Sequence, residues 1–378
     1  MYKLAALTSL AALLFAPSAI AQVPGVTADK ILIGQTAGHT GTVAGGVKET
    51  TDGAKLYLNW VNANGGVHGR KIEMVSMDDK FDPKLAAQNA KVLIEEKKVF
   101  ALFLNRGTPH SEAILPLLKQ YGVPLIGPST GADLLHAPVN PYVFNVRAKY
   151  QLEAEKGIVQ LSAMGMSRIS VIHVNDSFGK DALAGAMKGF EVANIKPVGI
   201  FSYDRAAGKV DEAVKGALKS DAQATILIGS GANVADMVTQ VRGARSGMQL
   251  ITLSNNSSSA FVKSLGHHAR GVIVTQVFPN PNMATTGIAL QMKKISKEST
   301  PIAISHQAME GFASAKVLVE GLKRAGKNPT RASFLAALEQ LRDFDLGGLS
   351  VTYGPADHTG TEYVELSMIS KNGEFLQR

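Results

Sequence analysis

The sequence contains no cysteine among its 378 residues and no long uninterrupted apolar run. Without cysteine the chain forms no disulfide, although an exported protein could have used one. It also lacks the cysteine that a lipid anchor at a cleavage site would need. No apolar run reaches the roughly 18 residues typical of a membrane-spanning helix. These absences exclude a disulfide scaffold and a lipid anchor, and they predict a soluble mature protein.

The first residues, MYKLAALTSLAALLFAPSAIAQ, have the pattern of a secretory signal peptide. One cation, Lys3, precedes an apolar run from Leu4 to Ala16. Ala19-Ile20-Ala21 then provides an A-x-A-type cleavage site. We therefore predict that residues 1–21 are a signal peptide and that the mature chain is exported, most simply to a bacterial periplasm.

No dense basic run occurs, although 39 basic residues face 31 acidic ones. Dispersed positive charge is more typical of a solvated surface than of nucleic-acid binding, so we predict no nucleic-acid partner. The sequence also lacks a Walker A motif and a dinucleotide fingerprint after a strand. His267 and His268 are adjacent and cannot share a helix face as metal ligands. The acidic stretch 77–82 lacks the spacing of a calcium loop, and we predict no cofactor and no metal.

Apolar runs alternate with amphipathic stretches at intervals of about 30 residues. Several runs are apolar nearly throughout, as strands covered on both faces are. This alternation predicts an α/β fold with doubly wound parallel sheets, and the series divides into two units near residues 147–156. The predicted strands are 31–37, 71–79, 99–105, 123–129, 142–147, 168–175, 197–204, 224–230, 248–255 and 271–279. After Pro281 we predict helices at 285–299, 306–325 and 330–341, then strands at 348–354 and 362–370.

The segment Gly127-Pro128-Ser129-Thr130-Gly131 matches the G-x-S-x-G motif of a nucleophile elbow between a strand and a helix. Glycine is frequent in this chain, 37 of 378 residues, so a chance match is unsurprising. The β-branched Thr130 also fits the tight elbow poorly. A secreted serine hydrolase that uses Ser129 is therefore kept only as a minor alternative.

In open α/β sheets, ligands bind beyond the carboxyl ends of the strands. Backbone N–H groups and hydroxyls in loops there can bind a carboxylate. Arg106, His110 and Arg147 would add charge-assisted bonds, and Tyr150 and Phe178 would add apolar walls. Seven loops rich in Gly, Ser, Thr and Asn fall at such positions: 38–46, which contributes His39, and 105–111, 127–131, 147–150, 175–179, 229–233 and 254–259.

Ordered motifs along the chain resemble one family. They are ILIGQTAGHTGTVAGG, NANGGVHGRKIEMVSMDDKFDP, YGVPLIGPSTGADLL, YVFNVRAKY, VIHVNDSFGKDALAG and QVRGARSGMQLI. This series resembles type I periplasmic solute-binding proteins of ABC transporters, the leucine/isoleucine/valine-binding group, over nearly all of residues 26–378.

The resemblance implies two lobes joined by three crossings near residues 149, 276 and 363, which close on a ligand like a hinge. The N-terminal lobe would comprise 22–149 and 277–363, and the C-terminal lobe 150–276 and 364–378. It further implies a non-enzymatic, monomeric protein without cofactors. Such a protein delivers a small ligand to an inner-membrane ABC permease, and a same-fold sensor that feeds a receptor is the alternative.

The resemblance also implies ligand contacts. A carboxylate-binding hydroxyl falls on Thr108, and further backbone and hydroxyl contacts fall on 129–131. An aromatic wall falls on Phe178. Ser230 and Gly46 stand where the family has aromatic residues. The expected ligand-binding set is His39, Arg106, Thr108, Ser129, Thr130, Gly131, Tyr150, Phe178, Ser230 and Asn255.

The family's acid, which pairs with the ligand ammonium, falls in Ser254-Asn255-Asn256, where this chain has none. A buried ammonium without a partner is costly, so the pattern favours a carboxylate-bearing ligand that is aromatic or dicarboxylic. Asp176 or Glu153 could still anchor an amine, and amino acids stay open.

Overall fold

The computed structural model of the protein describes residues 23–283 and 285–377. The predicted signal peptide and its cleavage site lie outside the described residues. No described helix is both long and apolar enough to cross a membrane.

The first sheet has five parallel strands in the order β2-β1-β3-β4-β5. Its strands are β1 (Lys30–Ala37), β2 (Lys71–Asp78), β3 (Ala101–Phe103), β4 (Leu125–Ile126) and β5 (Val143–Phe144). The helices between them are α1 (Ala44–Ala63), α2 (Pro83–Glu95) and α3 (Thr108–Tyr121). The predicted strand 123–129 shrinks to two residues because Pro124 and Pro128, which flank it, lack the N–H group that a ladder needs.

The second sheet begins after β5. Its parallel strands are β6 (Ile169–Val174), β7 (Gly199–Tyr203), β8 (Ala224–Ile228), β9 (Gln249–Thr252) and β10 (Ile273–Gln276). The accompanying helices are α4 (Tyr150–Ala163), α5 (Ser177–Val192), α6 (Asp211–Lys219), α7 (Ala232–Gly243) and α8 (Ser259–Leu265).

The chain then returns to the first sheet. It forms α9 (Gly287–Glu298), α10 (His306–Arg324) and α11 (Arg331–Glu339), then a small sheet of β11 (Phe344–Asp345), β12 (Ser350–Gly354) and β13 (Asp357–Gly360). Buried side chains of these helices share one core with β1, β3 and α1. We call this assembly, with β1 to β5 and α1 to α3, the first lobe.

The last two strands, β14 (Glu365–Ile369) and β15 (Phe375–Gln377), join the second sheet antiparallel and complete the order β15-β14-β10-β9-β8-β6-β7. We call this sheet with α4 to α8 the second lobe. The α/β class and the two parallel sheets predicted from the sequence are confirmed, whereas the short strands β11, β13 and β15 were not predicted.

Helices α1 and α10 of the first lobe touch through glycine. A Cβ atom added at Gly53 would lie 1.9 Å from the carbonyl oxygen of Ala308, and one added at Gly311 would lie 1.8 Å from that of Thr50. The close approach lets the Thr50 hydroxyl donate to Oε1 of Gln307 over 3.1 Å. This crossing therefore carries Gln307, from late in the chain, to the carboxyl ends of the first sheet.

We expect Gly53→Ala to destabilise the protein by about 1–3 kcal/mol, because the added methyl group overlaps the backbone of α10. Gly243→Ala is the matched control, since a Cβ atom there meets nothing within 4 Å. This control should be neutral or stabilising by up to about 1 kcal/mol, as alanine favours a helix over glycine. Chemical denaturation of both variants measures the difference, and equal stabilities would contradict the packing described.

Candidate functional site

A small cavity lies between the lobes at the carboxyl ends of the strands. Its volume is about 10 Å³, about the space that one water molecule needs. Hydrogen bonds from Arg106 to Asn255 and from Gln307 to Ser254 run between the two lobes, which are closed on each other. A larger cavity, of about 690 Å³, lies at the surface between α8 and the C-terminal strand, away from the strand ends. The first lobe contributes Phe81, Arg106, Gly107, Thr108 and Ser129 to the small cavity, and the second Tyr150, Phe178, Arg205, Ser230 and Asn255.

Arg106 spans this cleft. It follows β3, pairs with Ser129 through a parallel bridge, and is 4% exposed. Its Nη1 donates to the Ser129 hydroxyl over 3.3 Å and to Oε1 of Gln307, both in the first lobe. Its Nη2 donates over 2.8 Å to the main-chain carbonyl of Asn255, in the second lobe. The guanidinium thus links the two lobes.

No carboxylate of residues 23–283 and 285–377 lies within ion-pair distance of Arg106. Burial lowers its pKa from the ordinary value, while Glu310 acts on it only through longer-range attraction. An arginine nevertheless stays protonated in proteins. The cleft therefore contains a buried cation that neutral acceptors alone hold in place.

The polar groups of the loop 127–131 mostly form hydrogen bonds within the first lobe. The Ser129 N–H donates to Asn105 and the Thr130 N–H to Pro128, each over 2.8 Å. The expectation that these two N–H groups are offered to a ligand is therefore wrong. The Thr130 hydroxyl bonds that of Thr108 over 2.7 Å, and a Cβ atom at Gly131 would lie 2.4 Å from the Ala148 carbonyl. Only Ser129 of this loop lines the cavity.

Ser129 has none of the surroundings of a hydrolase nucleophile. In the part of the chain that the structure describes, its hydroxyl contacts Arg106, and no histidine hydrogen-bonds to it. A serine nucleophile needs a base within hydrogen-bond reach. The segment that matches the nucleophile-elbow motif is therefore a turn whose Ser129 hydroxyl accepts a hydrogen bond from Arg106.

Arg147 and Glu153 neutralise each other beside the crossing into the second lobe. Nη2 of Arg147 donates to Oε1 of Glu153 and, over 2.7 Å, to the Ser254 hydroxyl. Oε2 of Glu153 accepts from the Ser254 N–H over 2.9 Å and from the Thr275 hydroxyl. Both side chains are at most 1% exposed. Neither is free to meet a ligand, so both expectations, Arg147 as a carboxylate contact and Glu153 as an amine anchor, are wrong for this closed form.

The second lobe supplies an aromatic wall. Phe178 is in the first turn of α5, and its ring centroid lies 4.8 Å from that of Tyr150. Asp176 caps α5 by accepting from the Gly179 N–H over 3.1 Å, and it pairs with Arg205 over 2.6 Å. Asp176 therefore has partners already and is not free to anchor an amine. The Arg205 guanidinium also lies 4.9 Å from the centroid of the Phe81 ring of the first lobe.

Asn255 is buried at the cavity with one unused acceptor. Its Nδ2 donates to the Gly229 carbonyl over 2.9 Å and to the Ser230 hydroxyl over 3.0 Å. Its Oδ1 has no hydrogen-bond partner among the described residues. A buried amide oxygen without a donor is uncommon in folded proteins and needs an explanation.

The histidines do not act as the sequence predicted. His110 is fully buried and stacks on Phe81, with centroids 4.4 Å apart. Burial lowers its pKa to about 4, so the ring is neutral near pH 7, and the predicted charge-assisted bond from it is wrong. His39 is half-buried beside Asp78 and does not line the cavity. Seven of the ten predicted residues line it, and Thr130, Gly131 and His39 do not.

Three residues at the cleft were missed from the sequence. Phe81 is in the acidic stretch 77–82, which was considered above only as a metal site. Asp79, whose pKa burial raises to about 6, accepts the Phe81 N–H over 2.9 Å, and Phe81 has a φ of 61°. Arg205 follows β7, so the same strand-end rule could have found it. Gln307 had no signal, because α10 reaches the site only through the helix crossing.

A second set of contacts holds the lobes together. The Glu49 carboxylate, on α1, accepts from the N–H groups of Ser259 and Ala260 in α8, over 2.9 and 2.8 Å. The Thr42 carbonyl accepts from the Ala232 N–H of the second lobe over 3.2 Å. Gln307 Nε2 donates across the cleft to the Ser254 carbonyl over 3.0 Å. The Glu49 carboxylate, bound to the N-terminus of α8, thus stabilises the closed form on the α1 side of the cleft.

We expect Glu49→Gln to shift the protein toward an open form by about tenfold or more. A charged acceptor contributes about 1.5–3 kcal/mol to a hydrogen bond, and the neutral amide offers one acceptor oxygen in place of two. Spin labels or fluorophores on the two lobes would measure the distance distribution. Glu112→Gln, at an exposed position on α3, is the control. An unchanged distance distribution in Glu49→Gln would contradict a role of the Glu49 hydrogen bonds in closure.

Comparison with known proteins agrees with this architecture. A family model described as periplasmic binding protein matches residues 30–374. Leu/Ile/Val-binding protein homolog 3 of Brucella melitensis is 27% identical over 334 residues, which cover 85% of this chain and 87% of that protein.

Two solved structures show the same fold over the whole length of the lobes. A substrate-binding periplasmic protein from Ralstonia solanacearum is 32% identical, with a TM-score of 0.86, and the match covers 92% of this chain and all of that one. An extracellular ligand-binding receptor from Verminephrobacter eiseniae is 26% identical, with a TM-score of 0.83, and covers 92% of this chain and 99% of its own.

Proposed function

We infer the function from the family, because the chain belongs to the periplasmic binding proteins, which bind solutes and are not enzymes. We propose that it binds a small ligand that carries a carboxylate and delivers it to an ABC permease of the inner membrane. The family implies a periplasmic location, and the cleavage after Ala21 remains a prediction. Hinge closure of the lobes is the step that captures the ligand.

The observation that carries the ligand class is the unpaired guanidinium of Arg106. A buried charge is costly unless it is paired. Arg106 is 4% exposed, and its hydrogen-bond acceptors are a hydroxyl, an amide oxygen and a main-chain carbonyl. A ligand carboxylate would supply the missing charge and can accept two parallel hydrogen bonds from the fork. An anionic ligand is therefore favoured over a neutral one.

Thr108 supports the same assignment. It is the first residue of α3, a helix of 14 residues, and a helix N-terminus favours negative charge. Its hydroxyl shares one hydrogen bond with Thr130 and can exchange that partner for a ligand oxygen. The carboxylate would then lie between Arg106 and the start of α3, both in the first lobe.

The rest of the ligand would lie against the aromatic side chains Phe81, Tyr150 and Phe178. Such rings favour an apolar or aromatic body. Because the closed cavity holds about 10 Å³, the ligand enters only after the lobes separate. On closure the ligand would add a second bridge between the lobes beside the hydrogen bond from Arg106 to the Asn255 carbonyl. A ligand that contacts both lobes binds the closed form better and therefore favours it.

We expect the melting temperature to rise with at least one member of a panel of carboxylates, comprising amino acids, aromatic acids and dicarboxylic acids. Arg106→Gln should weaken binding of that compound about tenfold to a hundredfold, since a hydrogen bond to a charged group contributes about 1.5–3 kcal/mol. Thr108→Ala should weaken it less. Titration calorimetry gives the affinities.

Arg270→Gln is the matched control, because Arg270 is exposed and does not line the cavity between the lobes. Full affinity in Arg106→Gln would contradict the assigned carboxylate contact. Uptake of the labelled compound by cells that lack the chain tests the delivery step, and undiminished uptake would contradict a transport role.

A further inference from the structure

The unused acceptor of Asn255 extends the ligand assignment. Its amide orientation is determined by its partners, because the Gly229 carbonyl can only accept and must therefore face Nδ2. Oδ1 is then left as a buried acceptor on a residue that is 7% exposed and lines the cavity. The neighbouring Asn256 differs, since its Oδ1 accepts from the Gly231 N–H over 2.8 Å. Of these two neighbouring asparagines, only Asn255 therefore has a free acceptor.

This acceptor lies beside the proposed carboxylate contact. Nη2 of Arg106 donates over 2.8 Å to the main-chain carbonyl of Asn255 itself. A ligand whose carboxylate meets Arg106 therefore places its adjacent atoms near the Asn255 side chain. A hydrogen-bond donor close to the carboxylate would satisfy Oδ1.

The charges around the cavity decide which donor fits. Its lining includes two guanidinium groups, those of Arg106 and Arg205, and no carboxylate. Glu153 and Asp176 are engaged with Arg147 and Arg205. Glu310 lies 3.9 Å from Arg147 and does not line the cavity. An ammonium group would therefore meet the Arg106 guanidinium and a neutral amide, with no carboxylate to pair with, whereas a hydroxyl donates to the amide without charge repulsion.

We propose that the ligand carries a hydroxyl group close to its carboxylate, which donates to Oδ1 of Asn255, and carries no ammonium group. The ligand class is then a hydroxycarboxylate with an apolar or aromatic body. This inference rests on the proposed carboxylate-binding function and narrows its substrate class.

Matched triplets of compounds test it on the intact protein. One triplet is 2-hydroxy-3-phenylpropanoate, 3-phenylpropanoate and phenylalanine, and another is 2-hydroxy-4-methylpentanoate, 4-methylpentanoate and leucine. Within a triplet only the group next to the carboxylate changes. We expect calorimetry to show the hydroxy acid binding about threefold to tenfold more tightly than the unsubstituted acid, as one neutral hydrogen bond provides. The amino acid should bind most weakly.

Asn255→Asp tests the residue. The carboxylate keeps the size of the side chain but supplies a partner for an ammonium group, so the preference within a triplet should move toward the amino acid by tenfold or more. Asn255→Ala should bring the hydroxy and unsubstituted acids to equal affinity. The affinities of the three compounds are compared on the same variant. A loss of stability that weakens all three equally therefore leaves their ratio unchanged.

The outcomes separate the two proposals. If the amino acid binds most tightly to the natural protein, or if the hydroxyl gives no advantage, the hydroxycarboxylate assignment is overturned while carboxylate binding stands. If no carboxylate in any triplet or in the wider panel binds, the proposed function itself fails, and this inference fails with it.

Discussion

A single guanidinium group, that of Arg106, lies between the two lobes and makes hydrogen bonds to both. Taking a cation out of water is costly, and neutral acceptors recover only part of that cost. The closed arrangement therefore includes a buried guanidinium that has hydrogen-bond acceptors but no negatively charged partner. In the function proposed above, an anion in the cleft would supply the missing charge and so couple ligand binding to closure.

Two other arginines close to the cleft have carboxylate partners of their own. Arg147 is paired with Glu153, and Arg205 with Asp176. The first pair joins the crossing after β5 to Ser254 and Thr275 of the second lobe. Chemically similar arginines thus have different roles, and the position of the nearest carboxylate distinguishes them.

Closure also has a part that is independent of the ligand. Glu49 binds the start of α8 across the cleft. These hydrogen bonds lower the free energy of the closed form whether or not a ligand is present. Under the proposed function, the affinity for the ligand would depend on these Glu49 hydrogen bonds as well as on the contacts of the ligand with Arg106 and the aromatic wall, because a ligand acts only through the difference between the two forms.

Local patterns were enough to predict the strand and helix series, because apolar periodicity acts within a few residues. The rule that ligands bind at strand ends also predicted Arg106, Thr108, Ser129, Phe178 and Asn255 as residues near one cleft. The sequence alone could not assign charges to partners, since Arg147 meets Ser254 and Arg106 meets Gln307 across long separations in the chain. Nor could it show that His110 is neutral or that the N–H groups of Ser129 and Thr130 are used. Those properties depend on burial and on contacts between distant segments, which exist only after the two sheets and helix α10 have come together.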